Sequence, residues 1–363
     1  MACSLVCKQW LPPSRYQLFR NTTIHIDVDN FRKFCELLAS QRLNAYLGRL
    51  HLESHIIDDR FVGGPEDAFQ FNQDLGRLAG LPNLQFLRLE YHHDELIHEF
   101  PAVLANSFTS ITDLEFVSFW FSTFDQFVEI VESLPLLCRV SLDEIGWYDL
   151  PDNDEDLVSD PSRPTYGCGN LRDVVLRCGF HSPVPVLLWL PFQMRITRLT
   201  LALGPWQSMA HLEGPLLTRS LHSFGSQLEH MIFGSPSGYV PDLSQAKQLH
   251  TLELTEIPCT NLSMASDCEW VPTLLSQIHS PLLRRIVFVI DLGRRENLDF
   301  LNWPRIHEQL TRLSSLRFVE FALPSHKHWA TIAISERLDP RQYSLQVRQL
   351  DGPYKYSLGM FNN

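Results

Sequence analysis

The chain has 363 residues, 44% of them apolar and 20% charged, with a formal charge of −12 at neutral pH. That is enough chain to bury a large core. No apolar run approaches the 18 residues of a membrane span, and the acidic balance argues against nucleic acid as a main partner. The eight cysteines (Cys3, Cys7, Cys35, Cys138, Cys168, Cys178, Cys259 and Cys268) are scattered, with no C-x-x-C pair. They do not read as a secreted disulfide framework, and the expectation is the cytoplasm or the nucleus.

The first segment, MACSLVCKQWLPP, is crowded with apolar residues and ends in two prolines. It lacks the basic start and long apolar run of a signal peptide. TTIHIDV, from Thr22, follows as a strand. After Asp29, FRKFCELLAS predicts a helix with Phe31, Phe34, Leu37 and Leu38 on one face. PEDAFQFNQDLGRLAG predicts a second, with an early proline and acids and Gly80 at its end. After Ser122, TFDQFVEIVESL predicts a third; Ser122 and Asp125 resemble a capping box. NWPRIHEQLTRL predicts another, with Asn302 as cap and Ile306, Leu310 and Leu313 on one face.

A six-residue pattern, apolar-x-x-apolar-x-apolar, runs between these helices. Its copies are LGRLHL from Leu47, LQFLRL from Leu84, ITDLEF from Ile111, LCRVSL from Leu137 and LRDVVL from Leu171. ITRLTL from Ile196, LEHMIF from Leu228, LHTLEL from Leu249, LRRIVF from Leu283 and LRFVEF from Leu316 follow. Roughly ten such windows would arise by chance in a chain of this composition, so the number alone decides nothing. The spacing is more informative. The copies start 21 to 37 residues apart, about 30 on average, room for one strand, one helix and two turns. Several share a lead-in, as in LPNLQFLRL, LPLLCRVSL and RLSSLRFVEF.

Strand, turn, helix, turn, repeated, is the leucine-rich-repeat pattern, in which stacked units share one core. The expected fold is α/β: a degenerate leucine-rich-repeat-like solenoid over 24–350, with parallel strands on the concave side and helices outside. The Asn or Cys that usually follows the strand is mostly absent, and the same elements would also serve a general α/β protein. Residues 351–363 read as a tail.

The stretch from Asp149 to Gly169, rich in Asp, Pro, Gly and Ser, reads as an acidic surface loop. Asp152, Asp154 and Asp156 have calcium-loop spacing, but Leu157 and Arg163 stand where glycine and a bidentate glutamate are needed. YHHDELIHE, with His92, His93 and His98, lacks the H-E-x-x-H spacing of a zinc helix, and HKHW at His326–Trp329 is equally loose. No phosphate-binding glycine loop or G-x-S-x-G elbow occurs. The expectation is a binding protein rather than an enzyme, with no cofactor and no metal. A hydrolase or metal enzyme built on the histidine-rich segments is the rival from another class.

CSLVCKQWLPPSRYQLFR resembles the second half of an F-box. The matching residues are Leu5, Val6, Cys7, Lys8 and Trp10, then Arg15, Leu18, Phe19 and Arg20. With the irregular leucine-rich array behind it, the chain is similar to the large fungal F-box family. The resemblance gives 1–23 as a partial F-box segment; the Leu-Pro start and first two helices of a whole F-box have no counterpart here. It implies a substrate-recognition adaptor of a Skp–cullin–F-box ubiquitin ligase. Leu5, Val6 and Trp10 would meet a Skp-type linker protein, and the repeat domain would bind a protein target. A ligase-independent scaffold of the same fold is the alternative. No nucleic-acid or membrane partner is expected.

Strand alternation puts the residue between the last two apolar positions of each copy on the open face. Those residues are His51, Arg88, Glu115, Ser141, Val175, Thr200, Ile232, Glu253, Val287 and Glu320; Glu53, Glu90 and Asp143 share the face. Arg88, Glu90, Glu115, Asp143, Glu253 and Glu320 are the candidate target-binding residues. Their net tilt is acidic, which suits a basic target segment.

Overall fold

The computed structural model describes residues 14, 16–19, 22–41, 46–54, 76, 81–91, 103–104, 108–148, 168–178, 183–193, 195–203, 210–234, 240–257, 268–290, 295–323, 328–338 and 342–349. They fall into two compact units, Met1–Leu171 and Arg172–Asn363.

The first unit contains β1 (Ile24–Asp27), α1 (Val28–Gln41), β2 (Arg49–Ser54), β3 (Phe86–Tyr91), β4 (Asp113–Val117), β5 (Trp120–Phe121), α2 (Phe124–Ser133), β6 (Arg139–Asp143) and β7 (Gly146–Trp147). Strands β1, β2, β3, β4 and β6 pair in that order, all parallel. The short β5 and β7 pair separately. The second unit contains β8 (Asp173–Cys178), α3 (Val184–Trp189), β9 (Arg198–Leu203), α4 (Ala210–Phe224), β10 (His230–Gly234) and β11 (Thr251–Ile257). It continues with α5 (Trp270–Gln277), β12 (Arg285–Ile290), α6 (Trp303–Arg312), β13 (Phe318–Leu323), α7 (His328–Arg337) and β14 (Ser344–Gln349). Its strands pair in chain order, again all parallel.

Every one of the ten hexamers overlaps a strand. The first apolar residue of each copy is at most 4% exposed, from Leu47 to Leu316. It closes a turn in most copies: Leu84 N–H donates to the Leu81 carbonyl, Ile111 to Phe108, Leu137 to Leu134 and Leu316 to Leu313. The second residue sets the register. Its carbonyl accepts from the second and third N–H groups of the next copy. Gly48 receives Gln85 and Phe86, Gln85 receives Thr112 and Asp113, and Thr112 receives Cys138 and Arg139. In the second unit Arg172, Thr197, Glu229, His250 and Arg284 do the same. This arrangement, a mixed α/β repeat with parallel strands, is consistent with the leucine-rich-repeat-like expectation.

The missing Asn after the strand has a substitute before it. Ser110 Oγ donates to the Leu84 carbonyl at 2.8 Å and Ser315 Oγ to the Leu283 carbonyl at 2.9 Å. Ser280 Oγ lies 2.9 Å from both the Lys247 and the Leu249 carbonyls, and Asn170 Nδ2 donates to the Pro135 carbonyl at 2.7 Å. Side chains in the turn thus satisfy carbonyls of the preceding copy, the task the repeat otherwise gives to Asn.

Local details depart from the sequence reading. In α1, Cys35 and Leu38 are buried while Leu37 is 48% exposed, because the helix turns Cys35 rather than Leu37 toward the core. The cap of α2 is Thr123, one residue later than expected; its hydroxyl accepts from Gln126 N–H, and Gln126 Oε1 accepts from Ser122 N–H. The Asn302 cap of α6 is as expected, with Ile306, Leu310 and Leu313 buried. The helix expected from PEDAFQFNQDLGRLAG and the acidic loop lie almost entirely outside the described residues. Strand β14 went unrecognised. Its exposure pattern shows no buried residue, so it lacks the apolar signature of the others.

Aromatic packing fills the first unit between β4 and α2. Phe116, Phe119, Phe121, Phe124, Phe127 and Trp147 form one cluster, with Phe121 stacked on Trp147 at 5.2 Å. Here Gly146 is obligatory, since a Cβ would fall 2.6 Å from the Trp120 ring.

Ser280→Ala removes a buried donor from two carbonyls. It should lower unfolding stability by about 1–2 kcal/mol, read as a lower urea midpoint with unchanged slope.

Candidate functional site

Parallel pairing turns the alternation of each strand into rows within each unit. In the first unit one row runs His25, His51, Arg88, Glu115, Ser141, and the next Glu53, Glu90, Val117, Asp143. Leu50, Leu52, Leu87, Leu89, Leu114, Phe116, Val140 and Leu142 take the alternate positions and are buried in the core. The polar rows therefore occupy the opposite face.

His25, His51, Arg88, Glu90 and Glu115 bind one another. Arg88 Nη2 donates to Glu90 Oε2 at 2.7 Å, and Arg88 Nη1 to Glu115 Oε1 at 3.3 Å. His51 Nε2 lies 3.1 Å from the same Glu90 oxygen. Its other ring nitrogen, Nδ1, lies 2.6 Å from His25 Nδ1, with the rings edge to face. The hydrogen bond from His51, helped by Arg88 and opposed by burial, holds the Glu90 carboxyl down at about 2. His51 is 5% exposed and Ser141 3%, so the floor of the face is dry while His25 at its edge is open.

The second unit carries Val175, Thr200, Ile232, Glu253, Val287, Glu320 and Gln346 in one row of its own. It is mostly closed. Val287, Val289 and Ala322 form a buried apolar patch. Glu320 is 4% exposed; Arg285 Nη2 donates to it at 2.5 Å and Arg348 Nε also bonds it. Burial raises its carboxyl, but the two guanidiniums outweigh that and hold it low. Glu253 is the reverse case. Burial pushes its carboxyl up, and the more distant charges of Arg348 and Arg285 do not cancel that.

The positions read from the sequence as one strand face fall in one row within each unit, and the candidate residues Arg88, Glu90, Glu115 and Asp143 come together in the first unit. Glu253 and Glu320 lie in the second, Glu320 inside an ion-paired network. The sequence reading missed His25, Arg285 and Arg348. His25 sits on a strand without the hexamer, Arg348 on the unrecognised β14, and Arg285 just ahead of the apolar run of its strand; only register reveals their neighbours. Leu5, Val6 and Trp10 lie outside the described residues, as do His92, His93 and His98. A pocket in the first unit is lined by Val131, Leu134, Leu137 and Cys168. Burial, reinforced by the Glu132 charge, pushes the Cys168 thiol up to about 12, so it offers no thiolate nucleophile. Cys35, Cys178 and Cys268 are buried, and Cys138 is exposed. Among the described residues no helix is long and apolar enough to cross a membrane.

No protein-family model matches the chain, and neither does any curated protein. Among solved structures, the Rad7 and Elc1 complex of yeast contains a chain of 13% identity, with a TM-score of 0.41 over 93% of this chain and 82% of that one.

Two carboxylates predict opposite behaviour. Glu90 is held below its ordinary value, so its contribution is complete above about pH 4.5 and is lost as pH falls toward 2. Glu90→Gln should cost about 1 kcal/mol at pH 7, since Arg88 keeps Glu115 and the group is partly solvated; thermal melts should show the gap to wild type closing in acid. Glu253 is held above its ordinary value, so its ionised form opposes folding at neutral pH. Glu253→Gln should raise the melting temperature at pH 7 and leave it unchanged at pH 3.

Proposed function

We propose that this chain is a protein-binding adaptor whose working surface is the polar strand face of the first unit. One observation carries the reading: unshifted parallel pairing gathers Glu53, Arg88, Glu90, Glu115 and Asp143 from four strands onto one face opposite the apolar core. Such a face presents side chains from a rigid backbone, so little ordering cost attends binding. Its acidic balance favours a basic partner segment, drawn in by charge and weakened by salt.

The more specific role is substrate receptor of a Skp–cullin–F-box ubiquitin ligase. It rests on the F-box resemblance of CSLVCKQWLPPSRYQLFR, with Leu5, Val6 and Trp10 as the linker contacts. The scaffold alternative keeps the same target-binding face and drops the linker.

Two measurements separate these statements. Fluorescence anisotropy of the full chain with a lysine- and arginine-rich peptide should show binding that falls about tenfold between low and high salt, and about tenfold with Glu115→Lys plus Asp143→Lys. Equal binding of an acidic control peptide would overturn the surface assignment. Co-purification with a purified Skp-type linker should be lost on Trp10→Ala; no co-purification with the wild-type chain would overturn the ligase role and favour the scaffold.

A further inference from the structure

The edge of the same strand face holds a second constellation with different chemistry. His25 on β1 and His51 on β2 are direct register partners, and Glu53 is two residues along β2 on the same face. One ligand atom from each of these three side chains lies within 4.8 Å of the other two. We propose that His25, His51 and Glu53 form a binding site for a divalent zinc-class metal ion, with Glu90 as its positioning residue.

The protonation pattern follows from the neighbours. A carboxylate oxygen accepts, so His51 Nε2 is the donor across the 3.1 Å to Glu90. In the neutral ring the lone pair is then on His51 Nδ1, the atom that faces His25. A carboxylate behind one imidazole nitrogen and a ligand position in front of the other is the arrangement that orients metal-bound histidines. Arg88 donates to the same Glu90 oxygen at 2.7 Å, so that carboxylate stays in the supporting position.

Geometry and access agree with this. Zinc bonds to imidazole and carboxylate are about 2.0–2.2 Å, which places tetrahedral ligand atoms about 3.3 Å apart. The two Nδ1 atoms, at 2.6 Å, need only a small separation. His51 is fixed and 5% exposed, while His25 is exposed on the edge strand and free to swing by that amount. Two imidazoles and one carboxylate suit zinc rather than calcium or magnesium, which take oxygen ligands. Three protein ligands leave a fourth position for water or a partner's side chain.

The test uses the full chain, stripped with a chelator and titrated with zinc sulfate against a competing chromophoric chelator. The expected result is a zinc equivalent that His25→Ala and His51→Ala each weaken at least about tenfold and Glu90→Gln weakens about 10–100-fold. Glu53→Gln should weaken it about tenfold. X-ray absorption of the zinc form should show two imidazole ligands. His25→Ala changes an exposed edge residue, so circular dichroism without metal should match wild type even if His51→Ala impairs folding. Absence of micromolar zinc binding, or zinc binding unchanged in His25→Ala and Glu53→Gln, would overturn the site. Neither result depends on whether the chain binds a peptide or a linker.

Discussion

The repeating carbonyl at the second position of each hexamer is the constraint on which the rest depends. At Gly48, Gln85, Thr112, Arg172, Thr197, Glu229, His250 and Arg284 it accepts two N–H groups of the next copy and so sets the register of the strands they join. A one-residue slip would send every side chain to the opposite face. Because the register is fixed, Leu and Phe side chains stack into one core in each unit and the intervening residues stack into rows. The face proposed to bind a partner and the proposed metal site are both consequences of those rows.

The two units use the open face differently. In the first, charged groups neutralise one another in a partly exposed network around Arg88 and Glu90. In the second, the corresponding strand positions are closed by apolar residues and by a carboxylate clamped between two guanidiniums. A buried, fully paired carboxylate such as Glu320 fixes local packing more than it offers a contact. This contrast directs the functional reading to the first unit and not to the whole acidic series.

Much of the fold was legible because its signal is local. The hexamer carries both the buried turn residue and the strand alternation, so all ten copies could be placed from sequence. Asn302 was readable as a cap because capping depends on neighbours three residues away. The failures have equally local causes. Strand β14 buries no residue and so has no apolar pattern to read. Leu37 and Cys35 both fit an amphipathic stripe, and only the packing of α1 on β1 and β2 chose between them. The roles of Ser110, Ser280 and Ser315 are not legible in sequence, because the carbonyls they reach are 26 to 33 residues away.

The sequence by itself determined the α/β repeat, its strands, and which residues of each strand leave the core. Those properties follow from periodicity and turn chemistry within about ten residues. Only the tertiary structure decided which exposed-face residues meet. His25 and His51 are 26 residues apart, and Arg285 and Glu320 are 35. Their approach depends on strand register, which is set by backbone hydrogen bonds between copies whose intervening segments differ in length. Burial was decided at the same level. Glu253 and Glu320 are the same residue in the same strand position, yet their carboxyls move in opposite directions because different neighbours surround them.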